Sequence, residues 1–226
     1  MNNMNQVIKK IFTMCTGNKG FTLVETLVAI LILTMTIGAL LTLAASGYFS
    51  IRYAKNQIIA DYLAEESLEY IRNDRDNALL KNQSSPTDTW FTNWYDDYAV
   101  NRDGAYKKHT DRNGCFNKNG CTIDPYAVDV LGKKERNQNV RECASPCSQL
   151  VYYPATGFYG YSGKSYPTVF VSSAQRNSGI ATTYARKVYF MVMPAGDQVE
   201  VSVEMSWKNG NTTKKVVKSI LLTKWD

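Results

Sequence analysis

A single carboxylate lies inside an otherwise apolar stretch near the start of the chain, in the sequence NKGFTLVETLVAILIL. An ionised carboxylate in such a segment is costly unless a nearby cation offsets its charge. A cut between Gly20 and Phe21 would supply that cation, because the new α-ammonium has a pKa of about 8 and is mostly protonated at neutral pH. Glu25 follows four residues later, one helical turn away, and could pair with the amine of its own chain or of a neighbouring chain. If the chain were cut there, this spacing would allow the amine and Glu25 to form a charge pair.

The element that must position Glu25 is a hydrophobic helix. Thr26 to Ala45 are 20 consecutive residues without a charge. At about 1.5 Å per residue they cover about 30 Å, the thickness of the hydrocarbon core of a bilayer. Three lysines and no acidic residue precede Glu25, so the positive-inside bias predicts a cytoplasmic N-terminus and export of the rest of the chain.

Two simpler kinds of segment are the alternatives. A secretory signal has an apolar core of about 7–15 residues followed by small residues at a cleavage site. The sequence LAASG, Leu43 to Gly47, offers such a site, but the apolar run is longer than a signal needs. A plain membrane anchor explains the length and leaves Glu25 unexplained. The alternative interpretation is therefore a membrane-tethered or Sec-secreted extracellular β domain for binding or adhesion.

The string KGFTLVETLVAILIL resembles the cleavage and methylation motif of type IV prepilins. In that family a membrane peptidase cuts after the glycine and methylates the new N-terminal residue, and the glutamate is used in filament assembly. Gly20, Phe21 and Glu25 match the motif residue by residue. The resemblance thus implies cleavage after Gly20, N-methylation of Phe21, and a role for Glu25 as the charge partner in assembly.

The helix is predicted to continue beyond the apolar run. Strong helix formers persist to Lys81, and the sequence NQSSP at Asn82 to Pro86 then ends the pattern. Apolar and small residues recur with a period of 3.6, which predicts one buried helical face. That face comprises Ala60, Leu63, Ala64, Ser67, Leu68 and Ile71.

The C-terminal sequence predicts an antiparallel meander. QVEVSVEMSWKNG alternates with period two, and its apolar face is predicted to be buried. Asn209-Gly210 predicts a turn, KKVVKSILLTKW the returning strand, and Ala185 to Met193 the strand before. With the resemblance, this implies an α+β fold of the type IV pilin kind. A long N-terminal helix, transmembrane and then amphipathic, would pack on a small antiparallel β-sheet head.

Five segments describe the predicted organisation. They are a cytoplasmic leader that is removed (1–20), a transmembrane or filament-core helix (21–46), its amphipathic continuation (47–82), an irregular Cys-containing insertion (83–184) and the C-terminal meander (185–226). Within the insertion, short strands are predicted at Tyr126 to Val130, Gln149 to Tyr153 and Pro167 to Val171.

Five cysteines are present, and Cys15 falls in the leader. An even set of four in an exported domain predicts two disulfides, for which three pairings are possible. The loops CFNKNGC and CASPC hold turn-forming residues, which favours Cys115–Cys121 with Cys143–Cys147. A zinc site is the alternative, although neither spacing is the usual CxxC and export favours oxidation.

Catalysis finds little support in the sequence. The single histidine, His109, stands beside Lys107 and Lys108 in a polar loop, and no nucleophile or phosphate-binding motif has its partners. No enzyme activity, cofactor or metal is predicted. The formal net charge of +6 belongs partly to the leader and does not argue for nucleic acid by itself. A surface ligand or DNA bound by the 83–184 insertion is left open.

The function implied by the resemblance is that of a filament subunit, a minor pilin of a type IV pilus or a pseudopilin of a secretion system. Its implied partners are the prepilin peptidase, the inner-membrane assembly platform of the pilus or secretion system, and other pilins in a helix bundle. Membrane lipid would surround the helix before assembly. The chain would be single-pass in the cytoplasmic membrane and later part of an extracellular or periplasmic filament.

Overall fold

The computed structural model describes residues 20, 22–84, 86–87, 89–99, 108–127, 139–144, 147–154, 157–162 and 179–224. The helices are α1 (Leu23–Ser84) and α2 (Trp90–Asp96), with short 3-10 turns at His109–Asp111 and Gly114–Phe116. The strands are β1 (Cys121–Ile123), β2 (Val140–Glu142), β3 (Gln149–Tyr153), β4 (Phe158–Gly160), β5 (Ile180–Val192), β6 (Gln198–Asn209) and β7 (Thr212–Thr223). The chain divides into two compact units at residues 52 and 53.

In the first unit, α1 exposes its apolar side chains over residues 23–52. The polar hydroxyls of this stretch bond back to the helix itself: Thr34 Oγ1 donates to Leu31 O at 2.9 Å, and Thr42 Oγ1 donates to Ala39 O at 2.8 Å. Such internal bonds let hydroxyl side chains stand in an apolar medium without an unsatisfied donor. By length and composition this helix could cross a membrane.

In the second unit, residues 53–84 of α1 pack one face against the sheet. All six residues of the predicted stripe are buried, which confirms the period-3.6 pattern. The helix ends at Ser84, three residues later than the predicted Lys81. Pro86 follows closely, and proline disfavours helical geometry in the residue before it.

The strands form one seven-stranded antiparallel sheet with β5 at its centre. Ala185 of β5 lies opposite Ser206 of β6 on one side and Gln149 of β3 on the other, while β1 pairs with β5 at Val188. The last three strands form the predicted meander, but β5 begins at Ile180, five residues before the predicted Ala185, because β3 pairs with its first residues. The α+β prediction, a long N-terminal helix followed by an antiparallel sheet, is confirmed.

The insertion supplies two hairpins, β1–β2 and β3–β4, that widen the sheet beyond the predicted meander. The predicted strand at Gln149 to Tyr153 is confirmed as β3. The predicted strand at Tyr126 to Val130 is wrong at Tyr126 and Ala127, where a turn follows Asp124, whose Oδ1 accepts the backbone N–H of Tyr126 at 3.1 Å. Residues 128–130 and the predicted strand at Pro167 to Val171 lie outside the described residues.

The core of the second unit lies between α1, α2 and the sheet. The predicted inner face of β6 is buried throughout, with exposures of 0–2% at Val199, Val201, Val203, Met205 and Trp207. The helix α2, which the sequence did not predict, adds four buried aromatic residues. It is held to α1 by Asp74, whose Oδ2 accepts hydrogen bonds from Trp94 Nε1 at 3.0 Å and Tyr98 Oη at 2.9 Å.

Two disulfides close short loops of the head, Cys115–Cys121 and Cys143–Cys147. These are the pairings that the turn-forming residues favoured. The first bond is fully buried beside Tyr98, whose carbonyl accepts the backbone N–H of Cys115 at 3.0 Å. The four sulfurs that the zinc alternative would have used are joined in these bonds.

Candidate processing and assembly site

The start of α1 carries the residues that the sequence singled out. Gly20 is exposed and non-helical, and no atom lies within 4 Å of the position that a Cβ on it would occupy. Phe21 lies outside the described residues. The helix begins at Leu23 and has Glu25 in its first turn. Gly20 and Glu25 therefore lie on either side of the helix start, and among the described residues nothing packs against Gly20.

Thr22 caps this helix. Its carbonyl accepts the backbone N–H of Glu25 at 3.0 Å, and its hydroxyl oxygen accepts the same N–H at 3.3 Å. A threonine at the position before the first helical residue satisfies one of the otherwise unpaired N–H groups. This role of Thr22 was not predicted, although the T-x-x-E pattern of Thr22 and Glu25 is the signature of a capping box.

Glu25 also lies where the helix itself favours an anion. The first turn is the positive end of the helix dipole, which stabilises a carboxylate by about 0.3–1 kcal/mol at an exposed site. Glu25 is the sole charged residue between Lys19 and Arg52. The dipole thus accounts for part of its tolerance in the apolar segment even before any cleavage.

The family model described as the prokaryotic N-terminal methylation motif matches residues 15–41. The chain carries the type IV prepilin-like signature. The match includes Gly20, Phe21 and Glu25 and leaves the sheet outside it. No curated protein and no solved structure matches the chain significantly.

This signature indicates a structural protein, and it implies in general processing by a prepilin peptidase and assembly with other pilins. The exposed apolar helix fits a membrane-anchored protein. The remaining predicted site residues belong to the second unit: the four cysteines form the two disulfides of the head, far along the chain from Gly20.

A buried arginine ties the head of the prepilin-like chain to α1. Arg186 of β5 has 0% exposure. Its Nη1 donates to Glu66 Oε2 at 2.9 Å and to the carbonyl of Leu63 at 3.2 Å, and its Nη2 donates to the carbonyl of Ile123 at 2.9 Å. The guanidinium also lies 6.0 Å from the ring centre of Tyr161. One side chain thereby joins α1, β5 and the end of β1.

The electrostatics of this cluster keep the arginine charged. Burial lowers the pKa of Arg186, but Tyr161, Glu66 and Asp124 outweigh that effect and raise it above its usual value. Burial, with a hydrogen bond to Glu66, raises the pKa of Tyr126 to about 12. This role of Arg186 could not be predicted from the sequence, because a single arginine in a strand carries no signal of the helix that it will contact.

The single histidine has a structural environment. His109 Nδ1 lies 2.6 Å from Asp96 Oδ1, which also accepts the backbone N–H of His109 at 2.8 Å. Its ring packs edge-on against Tyr95 with centroids 4.9 Å apart. Asp96 therefore holds the 3-10 turn against the end of α2, a contact that positions the loop preceding the Cys115–Cys121 disulfide.

Proposed function

We propose that this protein is a structural subunit, in the role of a minor pilin, of a type IV pilus or of a secretion pseudopilus. It is made as a prepilin held in the cytoplasmic membrane with its N-terminus inside. A prepilin peptidase cuts it after Gly20 and methylates Phe21. The mature chain leaves the membrane through the inner-membrane assembly platform and enters a filament through its N-terminal helix.

The observation that carries the proposal is the start of α1. An exposed apolar helix begins three residues after Gly20, and one carboxylate, Glu25, stands in its first turn. A membrane anchor needs the apolar residues but does not need the carboxylate, which is costly in an apolar segment. The matched methylation motif covers this same stretch.

Glu25 would act through the amine that cleavage creates. Before cleavage the bond between Gly20 and Phe21 is a neutral peptide, so Glu25 has no cation at this place. After cleavage the α-ammonium of Phe21 can pair with Glu25 of its own or a neighbouring chain. In the apolar surroundings of a helix bundle each charge alone would be strongly unfavourable, whereas the pair compensates both. Cleavage would therefore have to precede assembly into the filament.

The role of a minor pilin is supported by the size of the head and by its disulfides and additional strands. The 83–184 insertion brings two disulfides and two hairpins that widen the sheet. A head with such individual features suits a subunit present in few copies, and its measured abundance relative to other pilins tests that part of the proposal.

The decisive experiment is the N-terminal residue and intact mass of the protein recovered from its native cells. A start at N-methylated Phe21 is the expected result. A start near Met1 would instead indicate a tethered β domain, and a start near Gly47 would indicate a Sec-secreted one; either result contradicts the proposal. Deleting the gene then separates the two filament types, through loss of surface fibres for a pilus or loss of a secreted protein for a pseudopilus.

A further inference from the structure

The second unit, residues 53–226, is called the head, and its end near Tyr53 is basic. We define the basic end as Lys55 of α1 and three lysines of the β6–β7 hairpin, Lys208, Lys214 and Lys215, all of which are exposed. The sequence from Ser206 to Thr223 holds four lysines and no acidic residue. No acidic residue occurs in α1 between Thr26 and Ala60 either.

Contacts inside the second unit show where the hairpin points. Lys218, opposite Val203, lies 2.6 Å from Glu65 Oε1 and 3.5 Å from Asp61 Oδ1. Four residues further along β6, the ring of Trp207 lies 6.3 Å from that of Tyr53. The hairpin therefore runs toward Tyr53, the first residue of the second unit, as it approaches its turn.

The turn itself reaches past this contact. Lys208, Asn209 and Gly210 follow Trp207, and at about 3.3 Å per residue they extend the hairpin by roughly 10 Å. Tyr184 Oη donates to Asn56 Oδ1 at 3.0 Å, which places the adjoining part of β5 at the same end. The tip of the hairpin, with Lys208 and Lys214 on either side of it, thus lies beyond Trp207 at the Tyr53 end of the second unit.

Few acids neutralise this end. Lys215 lies 3.2 Å from Glu204 Oε2. In the part of the chain that the structure describes, Lys55, Lys208 and Lys214 form no ion pair. The next acids along α1, Asp61 and Glu65, bind Lys218. The described residues therefore place a net positive surface at the Tyr53 end of the second unit.

We propose that the basic end docks on the headgroups of anionic phospholipids while α1 spans the membrane. This inference rests on the proposed membrane-held precursor. Tyr53 comes eight positions after Ala45, the last residue of the apolar run, which is about 12 Å at helical rise. That distance is comparable to the Debye length of about 8–10 Å, so lysines at this end are within electrostatic reach of the surface.

The number of lysines sets how strongly the basic end would dock on an anionic membrane. Each lysine near an anionic surface changes the docking equilibrium by about fivefold, so two lysines contribute roughly thirtyfold at low salt. The head would be held at the membrane until the helix is extracted, and it would release as the hairpin leaves the surface. The contact would therefore belong to the stored precursor and to the mature subunit before assembly.

The test uses the full-length chain in nanodiscs of phosphatidylcholine, with or without phosphatidylglycerol. An environment-sensitive dye is attached to Asn211→Cys in the hairpin turn, with Cys15→Ser to remove the leader thiol, and its quenching by spin-labelled headgroups is measured. The expected result is strong quenching with phosphatidylglycerol that falls with added salt. The double variant Lys208→Gln/Lys214→Gln should weaken docking roughly thirtyfold.

The matched control is Lys108→Gln/Lys118→Gln, which removes the same charge from exposed lysines on the loops around the Cys115–Cys121 disulfide. This pair should leave quenching unchanged. Equal quenching with both lipid compositions, or equal loss in both double variants, would overturn the proposal. A chain that does not insert into the discs would overturn the membrane-held precursor and this inference with it, whereas insertion without docking would overturn this inference alone.

Discussion

Replacing Glu66 tests whether the buried arginine fixes the head to α1. In Glu66→Ala, Arg186 stays fully buried but loses its carboxylate partner, and it retains the carbonyls of Leu63 and Ile123 as acceptors. Removing one partner of a buried ion pair costs about 3–5 kcal/mol. The side chain of Glu66 is 22% exposed and two acceptors remain, so we expect the lower end of that range.

The arginine itself should be easier to replace than its partner. Arg186→Met fills the site with an apolar chain and removes the buried charge. It leaves the carbonyl of Ile123 without its donor, which costs about 1–3 kcal/mol. Leu63 O keeps a side-chain donor, because Ser67 Oγ lies 3.2 Å from it. We therefore expect Glu66→Ala to destabilise the head more than Arg186→Met does.

The assay is urea unfolding of the full-length protein in detergent, followed by the fluorescence of the head tryptophans. Glu69→Ala is the matched control, because Glu69 is also a glutamate of α1, three residues after Glu66, but pairs with Arg72 at the surface, where 68% of the Glu69 side chain and 45% of the Arg72 side chain are exposed. Such a pair contributes about 0–1 kcal/mol. An equal loss of unfolding free energy in Glu66→Ala and Glu69→Ala would contradict the role of Glu66 as partner of Arg186. A larger loss in Arg186→Met than in Glu66→Ala would contradict it as well.

Four further predictions concern the processing site and the head. Glu25→Ala should leave cleavage intact, as judged by N-terminal mass, and reduce incorporation into filaments; normal incorporation would contradict the charge-pair mechanism. Gly20→Ala should block processing, so a variant with the mature mass would remove support for the prepilin assignment. Replacing both Cys115 and Cys121 by Ala should lower the free energy of unfolding by about 2–4 kcal/mol in urea, since the bond closes a loop in the unfolded chain and is buried in the folded one. The free energy of unfolding should fall as the pH rises from about 10 to about 12. Burial raises the pKa of Tyr126 to about 12 in the folded state, so the folded state holds this proton more tightly than the unfolded state does. The resulting stabilisation is fully present below pH 10 and is lost through this window. Unfolding measured across that window should show a shallower loss in Tyr126→Phe, and an unchanged slope would count against this assignment.

Periodicity predicted the regular elements well, because each pattern is local. The alternation from Val199 to Trp207 requires one face of a strand to be buried whatever covers it, and the structure buries that face. The stripe from Ala60 to Ile71 specifies a helical face in the same way. Strands of three residues, such as β1 and β2, are too short to show a period, so they could not be predicted from their own sequence.

The sequence by itself determined the start of α1, its apolar length, the lone carboxylate four residues after Phe21, and the pilin-like class that these imply. Each of these depends on spacing along one helix, and spacing is a property of the chain. Only the tertiary structure decided that Arg186 would meet Glu66, 120 positions away, and that the β6–β7 hairpin would bring its lysines to the Tyr53 end of the head. Those contacts join distant segments, and the packing of the whole core, which no single segment encodes, sets which of them become neighbours.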